Sequence, residues 1–311
     1  MGNNHPIRQG ESILRHVNIL RRLALLLGTT LPFVAVAQAL PVIMTMDAGL
    51  PTHTVYRPTD LTSRPGHWPV VVWANGECLN LGNRARSFLS QIAAQGYVVI
   101  AVGPIGAPVV ERKAKLEPAE GGRGPDRQSA SHWTQLIDAL NWAEQANATP
   151  GNAYFSRLDV KHIAVMGQSC GGMQALSAAA DPRVTTLVEF NSGTLPAGSA
   201  PLDGTGATQA SLAQVHGAVA LVTGDEHDVA SRNADADFAL LTTVPVVRAV
   251  ARGIGHEGSF LEPQGGVFTP FAIAWLNWQL KGDTQAARAF SGKDCGLCRD
   301  AGWSLRTKRL P

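Results

Sequence analysis

Residues 162–172 read His-Ile-Ala-Val-Met-Gly-Gln-Ser-Cys-Gly-Gly, and this stretch decides the fold. The apolar residues 163–166 predict a buried strand, and Met-Gln-Ala-Leu at 173–176 predicts the start of a helix. Between them lies a G-x-S-x-G sequence with Ser169 at its centre. A serine on a sharp strand-to-helix turn, with glycines on both sides to avoid steric clashes, is typical of a catalytic nucleophile. The alternative interpretation is an ordinary turn, because glycine is common in this chain, with 32 among 311 residues.

Short apolar runs alternate with amphipathic segments on both sides of this turn. The predicted strands are 54–57, 70–74, 97–102, 163–166, 186–190, 219–223 and 246–250, and the predicted helices are 84–94, 132–145, 173–180 and 268–280. Several of the strands are continuous β-branched runs, as expected for parallel strands that are buried on both faces. The alternation therefore predicts the α/β class, with a mostly parallel twisted sheet and helices on both faces. Two segments without periodicity, 111–129 and 192–208, are predicted loops.

A nucleophilic serine needs a base to activate it and an acid to orient that base. After a turn of this kind the chain order is Ser, then Asp or Glu, then His. His256 follows the last predicted strand among glycines and is the predicted base. Asp225 and Asp228 both lie in the turn after the preceding strand, and Asp228 is favoured because the chain there heads back towards His256. His227 is a second candidate base, but it lies in the turn expected to hold the acid.

Attack of a serine on a carbonyl carbon creates an oxyanion, which backbone N–H groups stabilise. The first predicted donor is the N–H of Cys170, the residue after the nucleophile. The second is the N–H of Glu77, in the loop Asn75-Gly76-Glu77-Cys78 that follows the strand 70–74. The Glu77 side chain is expected to point away, because a carboxylate would oppose the oxyanion. A plain turn is the alternative interpretation of Asn75-Gly76.

Four cysteines occur in the chain, and they allow three disulfide pairings. Cys295 and Cys298 form a CxxC sequence in the polar tail 290–311, where no strand precedes it and no second CxxC accompanies it. A local disulfide is favoured there over a redox centre or a zinc site. That pairing would leave Cys78 to bond with Cys170. If the two oxyanion donors converge, this second disulfide would link the two halves of the oxyanion hole.

The N-terminal segment has the features of a secretory signal peptide. Four arginines precede the apolar run 23–37, which ends in Ala-Val-Ala. Cleavage is predicted after Ala37, with Ala39 as the second choice and an uncleaved membrane anchor as the alternative. Removal of residues 1–37 leaves 22 basic and 23 acidic residues. The expected product is a secreted or periplasmic single domain, 38–311, that does not contact the membrane after cleavage.

The chain resembles the α/β-hydrolases, in particular the secreted lidless esterases that include dienelactone-hydrolase-like proteins and bacterial cutinase-like polyester hydrolases. The resemblance covers about residues 52–280 and rests on WANG at 73–76, GQSCGG at 167–172, LVTGDEHD at 221–228 and GH at 255–256. It implies an α/β-hydrolase fold without a large lid domain. It also supports Asp228, which lies four residues after the glycine that ends its strand. The chain departs from the polyester hydrolases at Glu77, where they have an aromatic residue, and at Gln168, where they have Trp or His.

These features predict an exported serine hydrolase that cleaves small-molecule or polymeric carboxylic esters through an acyl-enzyme on Ser169. The alternatives are an amidase or peptidase with the same three residues, and a catalytically silent binding protein. No metal and no organic cofactor are expected, because the nine histidines show no ligand spacing. A formal net charge of +2 without a basic block argues against nucleic acid as a partner. The protein is expected to be a monomer.

Overall fold

Residues 39–113 and 130–311 are described by the computed structural model, so the predicted signal peptide 1–37 and most of the predicted loop 111–129 lie outside the described residues. Within the described ranges the strands are β1 (Val42–Asp47), β2 (Leu50–Pro58), β3 (Trp68–Ala74), β4 (Val98–Val102), β5 (Leu158–Gln168), β6 (Val184–Phe190), β7 (Ala218–Gly224), β8 (Val246–Ala251) and β9 (Trp303–Lys308). The α-helices are α1 (Arg86–Ala94), α2 (Thr134–Ala148), α3 (Cys170–Ala178), α4 (Ser231–Leu240), α5 (Phe268–Lys281), α6 (Thr284–Ala287) and α7 (Gly296–Arg299). Short 3-10 helices span Gly76–Cys78, Gln209–Gln214 and Pro263–Gly265.

All nine strands form one sheet in the order β1-β2-β4-β3-β5-β6-β7-β8-β9. The six strands from β4 to β8 are parallel, whereas β1, β2 and β9 pair antiparallel at the two edges. All residues of β3, β4 and β7 are buried, which explains why their sequences are continuous apolar runs. The predicted α/β class with a mostly parallel sheet is confirmed, and each of the seven predicted strands corresponds to an observed one.

The core lies in two layers on the two faces of the sheet. Alternate residues of β3 belong to different layers, with Val70 and Val72 on one side and Val71 and Trp73 on the other. Helices α2, α3 and α4 cover the first face, and α1 and α5 cover the second. The predicted arrangement of helices on both faces is thus also confirmed.

Five strands and α-helices were missed by the sequence patterns; the longest are β1, α4 and β9, and each of these three has little buried surface. Strand β1 follows the apolar leader directly, so its short run of apolar residues merges with that segment. Helix α4 buries only three of its ten residues, and half of its sequence is polar. Strand β9 lies in the segment interpreted as a tail, where it pairs with β8 and alternates between partly buried and exposed residues. Such edge elements carry a weak hydrophobic signal.

The carboxyl ends of the parallel strands meet at one edge of the sheet. The loops that follow β3, β5, β6, β7 and β8 all begin there, and these loops and the first residue of α3 carry every residue for which a catalytic or oxyanion role was predicted. Ligand sites of open parallel sheets lie at this edge. Across the described part of the chain, no helix combines the length and apolar character needed to cross a membrane.

Candidate active site

Ser169 lies at the tip of the turn between β5 and α3. Its backbone has φ 54° and ψ −119°, a conformation that non-glycine residues rarely adopt. The turn is tight because a Cβ on Gly167 would lie 2.1 Å from the carbonyl oxygen of Gly171, and a Cβ on Gly171 would lie 2.2 Å from that of Ala74. The glycines on both sides of the serine are therefore required by close backbone contacts. Strained backbone of this kind occurs at functional sites, where the surrounding structure holds it.

Ser169, His256 and Asp228 form a continuous series of hydrogen bonds. The Oγ of Ser169 is 2.9 Å from Nε2 of His256, and Nδ1 of His256 is 2.7 Å from Oδ1 of Asp228. The side chain of Asp228 is fully buried, whereas that of His256 is 17% exposed. The structure thus brings together the three residues for which the catalytic roles were predicted. A hydroxyl, an imidazole and a buried carboxylate in this order can transfer a proton from the serine to the histidine.

The environment of Asp228 keeps its carboxyl group ionised. Burial alone would raise its pKa, but the hydrogen bonds with His256, the N–H of Ala230 and the side chain of Asn191 outweigh burial and hold the pKa below its ordinary value. Its Oδ2 also accepts from the N–H of Gly224 at 3.0 Å. Because Asp228 is ionised, we infer that Nδ1 of His256 carries the proton and that Nε2 is free to accept one from Ser169.

Asp225, the second candidate acid, has different partners. Its Oδ1 lies 2.7 Å from Nδ1 of His227, and its Oδ2 accepts from the N–H of Gly253 at 2.6 Å. The carboxylate therefore braces the turn after β7 against the loop that leads to His256. The structure places Asp228 at the predicted base, whereas Asp225 contacts the other candidate base, His227.

The loop that carries His256 is held at two points. Nε2 of Gln168 donates to the carbonyl oxygen of His256 at 2.9 Å. The next residue, Glu257, forms an ion pair with Arg112. Gln168 is the last residue of β5 and directly precedes Ser169. Its side chain therefore holds the backbone of His256, whose imidazole contacts Ser169.

The loop after β3 lies against the first turn of α3. A disulfide joins Cys78 to Cys170, with their Cα atoms 5.2 Å apart. Glu77 lies in the 3-10 helix Gly76–Cys78 with φ 54°, and its side chain is exposed, as predicted. The second disulfide joins Cys295 to Cys298 in the C-terminal segment. Both favoured pairings are therefore present, and the first one joins Cys170, a predicted oxyanion donor, to Cys78, the neighbour of the other predicted donor, Glu77.

Two residues of the site were not singled out from the sequence. Nδ2 of Asn191 donates to Oδ2 of Asp228 at 2.8 Å, and Oγ of Ser192 donates to the carbonyl oxygen of Ser169 at 2.8 Å. Both residues directly follow β6, and this position could have indicated their role in the site. Polar residues immediately after a buried parallel strand lie at the edge of the sheet where sites form.

One group of described residues combines three side chains of the types that bind metals, namely Asp225, Glu226 and His227. Their potential ligand atoms lie within 4.8 Å of one another. However, Asp225 already binds His227 and Gly253, and Glu226 and His227 are exposed. This arrangement is explained by the turn it stabilises, so we assign no metal to it.

Comparison with known proteins adds no family assignment: the chain matches no protein-family model and no curated protein. Any functional conclusion therefore depends on the geometry of the site.

Proposed function

We propose that this protein is a serine hydrolase of the α/β-hydrolase fold that cleaves carboxylic esters. The observation that carries the proposal is the unbroken hydrogen-bond series from Ser169 through His256 to Asp228. A histidine without a catalytic role is not expected to contact both a serine with a strained backbone and a fully buried carboxylate. The same three residues in this order of contacts activate serine in hydrolases of unrelated folds.

Acylation begins with transfer of the serine proton. As Oγ of Ser169 forms a bond to the acyl carbon, its proton moves to Nε2 of His256, and the carbonyl π electrons move to the oxygen. The resulting imidazolium is stabilised by Asp228, whose carboxylate already accepts from Nδ1 at 2.7 Å. Because Asp228 is buried and bound by four groups, it needs little reorganisation when the positive charge appears.

The negative charge on the carbonyl oxygen requires donors that are already in place. We assign this role to the backbone N–H groups of Cys170 and Glu77, since the former begins α3 and the latter lies in the loop that the Cys78–Cys170 disulfide ties to it. The exposed side chain of Glu77 suits this role, because its charge is directed into solvent.

Collapse of the tetrahedral intermediate releases the alcohol. His256 donates the proton on Nε2 to the departing oxygen, which leaves an acyl group on Ser169. A water molecule then attacks the acyl carbon and gives a proton to His256. The second tetrahedral intermediate expels Ser169 Oγ, which takes that proton back, and the carboxylic acid leaves.

The position of each residue in the chain supports the hydrolase fold. The proposed nucleophile follows β5 and precedes a helix, the acid follows β7, the base follows β8, and the second oxyanion donor follows β3. This is the arrangement expected of an α/β-hydrolase. The two disulfides support export to an oxidising compartment, which agrees with the predicted signal peptide.

Hydrolysis of matched substrates tests the proposal. Wild type is expected to hydrolyse p-nitrophenyl butyrate, and Ser169→Ala is expected to lose about 10⁴-fold or more of kcat. Ser199→Ala, at an exposed loop serine, is the matched control and should retain full activity. Butyryl p-nitroanilide differs from the ester only at the scissile bond, so faster turnover of the anilide would favour an amidase. Turnover of the ester by Ser169→Ala at the wild-type rate would refute the proposal.

A further inference from the structure

Asn191 is a fully buried residue that directly follows β6 and lies between the loops of the proposed acid and the proposed base. Its Nδ2 donates to Oδ2 of Asp228 at 2.8 Å and to the carbonyl oxygen of Gly255 at 3.2 Å. Gly255 is the residue before His256. The two hydrogens of one amide group therefore bind the acid and the backbone that carries the base.

The main chain around Asn191 is fixed by the neighbouring strands. Its N–H donates to the carbonyl oxygen of Val222 on β7 at 2.7 Å, and the carbonyl oxygen of Phe190 accepts from the N–H of Ser169 at 2.9 Å. Asn191 has φ 45°, in the left-handed region, where asparagine is enriched among the residues other than glycine. The side chain thus starts from a fixed position between the serine turn and the strand that leads to Asp228.

The side-chain oxygen of Asn191 shows which end of the amide the fold uses. Oδ1 is buried, and no described residue donates a hydrogen bond to it. If the amide were turned round, Oδ1 would face the carboxylate of Asp228 and the carbonyl oxygen of Gly255, which are both acceptors. A buried oxygen without a donor costs free energy. The two bonds from Nδ2 therefore determine how the side chain is oriented.

The bond from Asn191 completes the set of donors to Asp228. Oδ1 of Asp228 accepts from His256 and from the N–H of Ala230. Its Oδ2 accepts from Asn191 and from the N–H of Gly224. Of these four donors, only His256 and Asn191 come from outside the turn after β7. Because Asn191 also binds the backbone before His256, it fixes the carboxylate and the imidazole relative to each other.

We propose that Asn191 is a positioning residue that keeps the carboxylate of Asp228 directed at Nδ1 of His256. The proposal rests on the function proposed above. The next residue extends this role to the proposed nucleophile, because Ser192 donates to the carbonyl oxygen of Ser169 at 2.8 Å. The two residues after β6 therefore contact the segments that carry all three members of the hydrogen-bond series.

Removal of the amide tests the positioning role. Asn191→Gly suits the left-handed backbone and deletes both donated bonds. We expect kcat for p-nitrophenyl butyrate to fall about tenfold or more, because a hydrogen bond to a charged group is lost. KM should change less than about twofold, because the amide acts on the acid and the base and not on the substrate. Asn141→Ala, at an exposed residue of α2, is the control and should keep both constants. An unchanged kcat in Asn191→Gly would overturn the proposal.

Exchange of the two side chains tests whether Asn191 acts through Asp228. In Asp228→Asn two amides face each other, so the new amide is expected to turn its nitrogen towards His256, where an acceptor is needed. In the double variant Asn191→Asp/Asp228→Asn, the carboxylate at position 191 should bind that nitrogen, and the amide oxygen can again accept from Nδ1. We expect kcat of the double variant to be about tenfold above that of Asp228→Asn. A kcat at or below that of Asp228→Asn would overturn the proposal.

The two proposals fail in different ways. If wild type hydrolyses the ester and Asn191→Gly matches it, the role of Asn191 is refuted while the hydrolase proposal stands. If Asn191→Gly does not fold, the exchange experiment still decides the role.

If wild type neither hydrolyses esters nor reacts with a fluorophosphonate, the hydrolase proposal fails. Urea unfolding at pH 8 of wild type, Asn191→Asp, Asp228→Asn and the double variant then decides whether the two residues act together. Both single variants should be less stable than wild type, and the exchange should restore part of the loss. Losses that simply add in the double variant would overturn the inference about Asn191.

Discussion

Gln168 Nε2 donates to the carbonyl oxygen of His256 at 2.9 Å, which ties the residue before the proposed nucleophile to the loop of the proposed base. The same side chain lies over Gly76, where a Cβ would be only 1.8 Å from Oε1 of Gln168. One amide therefore contacts three parts of the site: the serine turn, the histidine loop and the oxyanion loop. The donor towards His256 explains why a glutamine occupies this place.

Replacing Gln168 with Glu should impair catalysis more than folding. The substitution keeps the size of the side chain but turns a donor towards His256 into an acceptor facing another carbonyl oxygen, which is repulsive. We expect kcat for ester hydrolysis to fall about tenfold or more, since the loss of a buried hydrogen bond and the added repulsion together exceed about 1.4 kcal/mol. Gln285→Glu, at an exposed residue of α6, is the control. Unchanged kcat in Gln168→Glu would mean that the amide does not position His256.

The two aspartates after β7 should differ sharply in their effect on activity. Asp228→Asn removes the acceptor of the His256 Nδ1 proton and should lower kcat about 10⁴-fold. Asp225→Asn changes a carboxylate that binds His227 and Gly253, so its effect on kcat should stay below about tenfold. Steady-state kinetics on a single ester substrate distinguish the two. Equal losses in the two variants would contradict the assignment of Asp228.

The two disulfides should have separable roles. Cys78 and Cys170 are 92 residues apart, so replacing both with Ser should lower the unfolding free energy by about 4.5 kcal/mol. The same replacement should also lower the activity. Loosening one oxyanion donor should lower kcat about 10²-fold with little change in KM. The matched control replaces Cys295 and Cys298, only three residues apart, where the loss of stability is about 2 kcal/mol and kcat should not change. Urea unfolding and steady-state kinetics measure both quantities, and equal kcat in the two double variants would contradict the role of the Cys78–Cys170 bond.

The ionisation of Asp228 should contribute to stability in a defined pH range. Its pKa is lower in the folded protein than in the unfolded chain, where it is about 3.9. The stabilisation is therefore fully present above about pH 5 and is lost as the pH falls through the folded-state value. The difference in unfolding free energy between wild type and Asp228→Asn should shrink steadily below about pH 4. A difference that stays constant from pH 6 to pH 3 would show that this carboxylate is not stabilised by its neighbours.

The sequence predicted most of the central sheet because its strands are buried on both faces. Runs such as 219–223 contain only apolar residues and one threonine, and this pattern predicts a buried strand. The serine turn was predicted for a related reason: the glycines at 167 and 171 are required by close backbone contacts, and the need for them is visible in the sequence. Edge elements such as β9 have no comparable signal, because their exposed face tolerates charged residues such as Arg306.

The sequence ranked the two candidate acids but not the other supporting residues of the site. Asp225 and Asp228 are three residues apart in one turn, and Asp228, which was favoured, is the one that faces His256. Asn191 and Ser192 follow a strand, as many structural residues do, and their contacts with Asp228 and Ser169 depend on distances across three strands. Glu189 has an ordinary position in an apolar strand, and its raised pKa results from burial and from the neighbouring Asp237, which only the fold brings near it.

The most direct test of the central claim is labelling of the purified protein with a fluorophosphonate, followed by mass spectrometry of its peptides. This reagent reacts with activated serines and requires no knowledge of the natural substrate. We expect one adduct, on the peptide that contains Ser169, and we expect it to be lost in His256→Ala and after heat denaturation. A folded protein that takes up no label, or that is labelled on another serine, would contradict the account.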